Sequence, residues 1–171
     1  MFLFGDKIGV MTVTHELKPD GSEVYSLESN SKAKFLWLNY ENYTRYDVVY
    51  KEGKLISSVH KDTENGKTKR WSTIKWEGNR YLVDSYKGRS TFAQQPDYSI
   101  VTIYFKEIKN VKRIFYEAEA DFNELKIGDE PETWEFKSSD GHRNIYRFEK
   151  GNIQSMEFHV KIATIKMVRV S

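Results

Sequence analysis

The stretch "YDVVYKEGKLISSVHKDTENGKTKRWSTIKWEGNRYLVDSY" (Tyr46 to Tyr86) decides the fold. It carries three dipeptides suited to two-residue hairpin loops, Glu52-Gly53, Asn65-Gly66 and Gly78-Asn79, between runs that alternate apolar and polar residues. A two-residue loop fixes register, so each turn predicts cross-strand partners that the next turn can check. The first sets Tyr50 opposite Leu55, Val48 opposite Ser57 and Tyr46 opposite Val59. The second sets His60 opposite Trp71, Ser58 opposite Thr73, Ser57 opposite Ile74 and Leu55 opposite Trp76. The third sets Trp76 opposite Tyr81 and Ile74 opposite Val83. One face then collects Tyr46, Val48, Tyr50, Leu55, Val59, Ile74, Trp76, Tyr81 and Val83, with Ser57, Ser72 and Ser85 as small polar members. The other holds Arg45, Asp47, Ser58, His60, Thr73, Lys75 and Asp84, with Val49, Ile56, Trp71, Leu82 and Tyr86 among them. A four-stranded antiparallel sheet follows, with a core face and a mixed outer face.

Turn signals of the same kind recur at "KPDG" (18 to 21), "SSDG" (138 to 141) and "EKGN" (149 to 152). Short, regularly punctuated strands indicate an antiparallel all-β protein. In the C-terminal part, a loop at Asp140-Gly141 pairs Phe136 with Ile145 and Trp134 with Arg147. A loop at Lys150-Gly151 adds Met156 opposite Ile145 and Phe158 opposite Arg143, so that Trp134, Phe136, Ile145, Met156 and Phe158 share a core face. The final run, "MEFHVKIATIKMVRV", is apolar on both faces, as in a curved sheet or barrel. Between the meanders, "QQPDYSIVTIYFKEIKNV" (Gln94 to Val111) is the one segment that reads as a short helix, near 98–106, with Ser99 as its cap. The expected fold is a single domain, 1–171: a mainly all-β, strongly curved antiparallel meander sheet, a half-barrel or open barrel.

At 171 residues, one domain can bury about 70% of the surface its unfolded chain exposes. The chain has no cysteine, which removes disulfides, thiolate metal sites and cysteine nucleophiles together. Charge is balanced, 27 basic residues against 25 acidic for a net of +2, so no nucleic-acid partner is expected. The densest basic stretch, "KTKRWSTIKW" (Lys67 to Trp76), interleaves with Trp71 and Trp76 and reads more simply as a solvated hairpin edge than as a stacking platform. No run approaches the roughly 20 apolar residues of a membrane helix. Met1 stands directly before Phe2-Leu3-Phe4, so the chain opens inside a strand, and the expectation is that a leader has been removed.

Catalytic and metal-binding patterns are weak. His15, His60, His142 and His159 lack ligand spacing, and Ser90 in "KGRSTF" lacks the strand-elbow-helix context of a hydrolase nucleophile. "DTENGK" and "PDGSE" do not fit the twelve-residue calcium loop, and hairpin chemistry accounts for both. Asp47 and Asp84 share a face without forming a special carboxylate pair, and "NYT" (Asn42 to Thr44) is a formal glycosylation acceptor only. No cofactor and no metal are expected. Gly5 and Gly9, in "FLFGDKIGVMTVTHELKPDG" (Phe2 to Gly21), are followed by a β-branched run rather than a helix. They mark a bulge or a close backbone approach instead of a phosphate cradle.

Trp37, Tyr40, Tyr43, Tyr46, Tyr50, Trp71, Trp76, Tyr81 and Tyr86 crowd into fifty residues. Such side chains fill the interior of a small barrel or line the cavity of a larger one. Two non-enzymatic readings follow. In the first, Tyr46, Tyr50, Trp76 and Tyr81 wall a concave site for a hydrophobic or lipid-like ligand. In the second, the interior is fully packed and the outer face around Arg45, His60 and Trp71 meets a protein partner. An unrecognised hydrolase has least support.

The segments "GDKIGVMTV", "VVYKEGKLISS", "ENGK", "SIVTIYFKE" and "SSDGHRNIYRFEKGNIQSMEF" together resemble a family of uncharacterised exported bacterial envelope proteins. That family is similar in shape to the curved half-barrel of Lol-type lipoprotein carriers. The resemblance implies a periplasmic or otherwise extracytoplasmic protein with a strongly curved sheet and a lipid-like ligand or an envelope partner. It carries no catalytic residues onto this chain, and no lipidation cysteine is present.

Overall fold

A computed structural model describes every residue except 36–37, 109–110, 140, 161–162 and 171, and the backbone alone of 35, 38, 160 and 163. The described strands are β1 (Phe2–Leu3), β2 (Asp6–Lys7), β3 (Gly9–Leu17), β4 (Ser22–Phe35), β5 (Leu38–Lys51), β6 (Lys54–Glu64), β7 (Lys67–Trp76), β8 (Tyr81–Ser85), β9 (Gly88–Phe92), β10 (Arg113–Tyr116), β11 (Asp121–Ile127), β12 (Thr133–Lys137), β13 (Arg143–Glu149), β14 (Asn152–Val160) and β15 (Ala163–Val168). All ladders between them are antiparallel, and they form two sheets. One sheet runs β3 through β9 in chain order. The other runs β10 through β15 and then takes up β1 and β2. The all-β meander is as expected, but it is divided in two and does not close into a barrel.

Both sheets face one core, which joins Tyr25, Val48, Tyr50, Leu55, Ile74 and Tyr81 of the first to Phe115, Leu125, Phe136, Tyr146 and Met156 of the second. The connection between β9 and β10 lies against this core and buries Ile100, Val101, Ile103 and Ile108. Its helical part is a single 3-10 turn, Thr102–Tyr104, within the expected range. Thr102 rather than the Ser99 hydroxyl pins it, since Thr102 Oγ1 donates to the Ser99 carbonyl (3.0 Å) and accepts from the Ser99 N–H (2.9 Å). The β-branched character of "IVTIYF" limits the turn to this length.

The predicted turns of the first sheet are in place. Asn65-Gly66 and Glu52-Gly53 both adopt positive φ, as two-residue primed turns demand. The pairs next to the turns also match: Tyr50 with Leu55, Trp76 with Tyr81, Ile74 with Val83. Farther out the register departs by one residue. Tyr50 pairs with Leu55 but Val49 pairs with Ser57, leaving Ile56 as a bulge residue. Thr63 pairs with Thr68 but Asp62 pairs with Arg70, leaving Lys69 as another. One inserted residue exchanges the two faces of a strand. Beyond Ile56, therefore, Ser58, His60 and Asp62 point inward, and Val59, expected in the core, is 47% exposed. His60 faces Tyr46 and Ser72, not Trp71.

A similar slip occurs at the C-terminal meander. Ser138 N donates to His142 O (3.0 Å), which closes a three-residue loop at 139–141 instead of the expected two-residue one. Asp140 itself lies outside the described residues. Phe136 consequently faces Asn144 and Trp134 faces Tyr146, while Met156 faces Tyr146 and Phe158 faces Asn144. Tyr146 takes the buried position expected for Ile145, with Phe136 and Met156 beside it, and Trp134 and Phe158 half-buried.

Gly5 and Gly9 have separate roles. Phe4-Gly5 is the turn between β1 and β2, with φ of +50° and +94°. Gly9 is a close approach: a Cβ there would overlap the Asn30 carbonyl oxygen and sit 2.7 Å from the Ser31 Cα. Strand β4 passes directly over it, as the pairing of Gly9 with Ser31 requires.

Candidate functional site

Tyr46, Tyr50, Trp76 and Tyr81 all lie on the inner faces of β5, β7 and β8, with Tyr46 at one end of the row, against His60, and Trp76 and Tyr81 in contact near the hairpin turns. Tyr46, Tyr50 and Tyr81 are buried and Trp76 is half-buried. Their neighbours are the chain's own residues. Tyr50 OH donates to the Pro96 carbonyl (3.1 Å), and Tyr81 OH lies 3.0 Å from the Leu55 carbonyl and 2.9 Å from Gln95 Oε1. Tyr81 packs between Trp76 (ring centroids 4.8 Å apart) and Phe92 (4.7 Å), and the Lys54 ammonium sits 3.9 Å above the Trp76 ring. Burial pushes the phenols of Tyr46 and Tyr50 well up, and that of Tyr81 up to about 12 with help from Asp97. All three are neutral hydrogen-bonding groups at physiological pH. Of the other aromatics in the cluster, Trp37 lies outside the described residues.

These hydroxyls anchor the segment that covers the sheet. Tyr81→Phe strands the Leu55 carbonyl in the interior and is expected to cost about 1–2 kcal/mol of stability in urea denaturation. An unchanged midpoint would mean that the bond contributes nothing.

Below the wall the core becomes polar. The inverted half of β6 presents Ser58, His60 and Asp62, β7 presents Ser72, and the turn after β10 brings in Glu117. His60 is 2% exposed and stacks at 4.4 Å on Tyr46. Glu117 is 0% exposed and has no donor at hydrogen-bonding geometry on either oxygen, although its backbone carbonyl accepts from Ser72 Oγ (2.6 Å). Ser58 Oγ, Ser99 Oγ and His60 Nδ1 are likewise without partners. Asp62 is better served, accepting from Asn42 Nδ2 (2.8 Å), Thr44 Oγ1 (3.0 Å) and the Arg70 guanidinium (3.3 Å).

Desolvation disfavours the charged form of an ionisable group, so an acid and a base in one dry core shift in opposite directions. Burial raises the Glu117 carboxyl to about 7, with Ser99 and the N–H groups of Ile100 and Val101 opposing it from beyond bonding geometry. Burial lowers His60 to about 4; Asp62 opposes this and Arg70 adds to it. A carboxyl near neutrality is what a general acid or base needs. Here it is fully buried beside Ser99, so that its charge state is coupled to the stability of the fold. Sequence reasoning missed Glu117 because "YEAEAD" reads as an acidic surface run. The one signal was the pair of small residues, Ala118 and Ala120, alternating with the acids.

The outer face does not assemble as expected. Arg45 is there, exposed and paired with Asp47 (2.6 Å), and Trp71 is 37% exposed. His60 is on the opposite side of the sheet because of the bulge at Ile56. In its place the face carries Val59; Tyr86, in the turn after β8, lies beside Trp71, and Leu82 of β8 lies farther along the same face opposite Lys75, the two 38% and 40% exposed. Tyr86 N donates to the Trp71 carbonyl (3.0 Å), which ties the turn to this face.

Among the described residues no cluster of three His, Asp or Glu side chains is placed to hold a metal ion, and no helix is long and apolar enough to cross a membrane. No curated protein and no solved structure matches the chain. One family model, described as "Domain of unknown function (DUF6134)", matches residues 1–170. With essentially its whole length covered, the chain belongs to the DUF6134 family.

Proposed function

We propose that the protein is a non-enzymatic cell-envelope module that acts by surface contact with a protein partner, its interior serving only as core. The observation that carries this reading is the state of the aromatic wall. Tyr50 and Tyr81 spend their hydroxyls on Pro96, Leu55 and Gln95, and the 93–108 segment occupies the side from which a ligand would reach them. The mixed outer face, with Arg45 and Trp71 beside Val59, Leu82 and Tyr86, is the surface offered to the partner; an aromatic and an arginine amid apolar neighbours are the residue types that anchor protein contacts. Its address outside the cytoplasm rests on the likeness to exported proteins.

The alternative is the carrier of a hydrophobic or lipid-like molecule, with Tyr46, Tyr50, Trp76 and Tyr81 as its wall. Titration with N-phenyl-1-naphthylamine, whose fluorescence rises in apolar sites, distinguishes the two. The native protein is expected to give no saturable enhancement. Saturable one-to-one binding that is lost in Tyr50→Ala would return the carrier.

A further inference from the structure

On the outer face of the first sheet one cross-strand row spans five strands. It runs from Thr12 on β3 through Glu28 on β4, Arg45 on β5 and Lys61 on β6 to Trp71 on β7, each residue paired with the next. Paired residues turn their side chains to the same face at the strand spacing of about 4.8 Å. Across the sheet the row therefore reads hydroxyl, acid, base, base, aromatic. The charged residues around it are largely satisfied: Arg45 pairs with Asp47 (2.6 Å), Lys75 with Glu77 (3.1 Å) and Arg89 with Asp84 (3.6 Å). Glu28 and Lys61 are exposed and make no ion pair among the described residues. They are opposite in sign and stand one strand to either side of Arg45.

The relief of the face has the same symmetry. Val10, Thr12, Thr14, Ser26, Glu28 and Asn30 line an open groove of about 270 Å³ over β3 and β4. On the other side of β5, Trp71 keeps 37% of its surface exposed. Thr12 in the groove and Trp71 are each two strands from Arg45, as Glu28 and Lys61 are each one. A two-fold axis lying along β5, between two copies stacked face to face, exchanges these positions. It carries acid onto base and groove onto ring, which is the self-complementarity that an isologous contact requires.

We propose that this face pairs with the same face of a second copy of the chain, Glu28 of each copy meeting Lys61 of the other and each Trp71 ring entering the other's groove. The proposal names the partner for the surface reading above and rests on it. Sheets packed face to face lie about 10 Å apart, a gap that a glutamate and a lysine span together. On the axis the Arg45–Asp47 pairs of the two copies adjoin as a network of alternating charges. Five strands and six or so residues of length give a contact on the order of 500 Å² per copy, below the roughly 800 Å² of a stable complex. The dimer is therefore weak, half-formed at tens of micromolar protein and dissociated at the low concentrations of mass spectrometry.

Sedimentation velocity from micromolar to millimolar protein tests it. The native chain is expected to pass from monomer to dimer over that range. Lys61→Glu or Glu28→Lys sets like charges face to face twice in each dimer, and either is expected to weaken association at least about ten-fold. The double variant Glu28→Lys/Lys61→Glu is expected to recover the native value to within about three-fold, because it restores both pairs in reverse. Both positions are exposed, so the urea midpoints stay unchanged and folding does not confuse the outcome. A monomer at every concentration would overturn the self-pairing and leave the face to a different partner. A dimer indifferent to the single reversals, or not recovered by the double one, would overturn it too. Saturable dye binding that is lost in Tyr50→Ala strikes the surface reading itself, whatever the sedimentation shows.

Discussion

Gly9→Ala is expected to destabilise the protein by at least about 3 kcal/mol, among the largest effects a single methyl group can have. The added carbon would overlap the Asn30 carbonyl oxygen and press on the Ser31 Cα, both of them backbone. No rotamer change relieves it, so β3 must separate from β4 where the two sheets approach through β2. Gly5→Ala is the control. It has open space around the new carbon but a φ of +94°, and is expected to cost only about 1 kcal/mol for conformation. Equal losses for the two variants in chemical denaturation would mean that backbone conformation, not close approach, explains Gly9.

Glu117→Gln should raise stability, and by an amount that depends on pH. A carboxyl at about 7 in the fold and near 4.5 when unfolded binds its proton more tightly in the native state. Its folded form is therefore favoured most below pH 4.5, and that advantage is lost as pH rises to about 7. At 1.36 kcal/mol per pKa unit the difference amounts to about 3 kcal/mol. The glutamine variant escapes the loss, so its gain over the wild type should grow from pH 4.5 to pH 7 and then level off.

His60 has the opposite dependence. Lowered from 6.5 to about 4, it favours the fold above pH 6.5 and weakens it as pH falls toward 4. The two windows overlap and the two slopes nearly cancel in the wild type. Glu117→Gln should uncover a protein that weakens in acid, and His60→Gln one that weakens toward neutrality. Urea midpoints at pH 4.5, 6 and 8 measure both. A Glu117→Gln gain that stays constant with pH would show that the carboxyl is not desolvated.

The turns other than the one at 139–141, the antiparallel meander, the short helical turn and the architectural role of Gly9 were legible in the sequence because each is local chemistry. Positive φ at Asn65-Gly66 or a β-branched run after Gly9 declares itself within a few residues. The bulges at Ile56 and Lys69 were not legible. Either residue could be paired without violating alternation, and only packing of the finished sheet selects the inserted one. The cost of that ambiguity is concentrated at one place: His60 and Ser58 moved from solvent to core, and Val59 moved out. Tyr50, Trp76 and Tyr81 fall on the inner face because they lie next to hairpin turns, where register cannot drift. Glu117 was hidden because its burial comes from Ser72 on the first sheet and from the 93–108 segment, partners distant in sequence.

The central claim, that the interior is filled by the chain's own side chains and the protein works through its surface, is tested most directly by native mass spectrometry of the protein purified from its own host. The protein is expected to fly at its bare polypeptide mass. A lipid-sized adduct that survives purification and is lost when Tyr50 or Tyr81 is replaced by alanine would contradict the account.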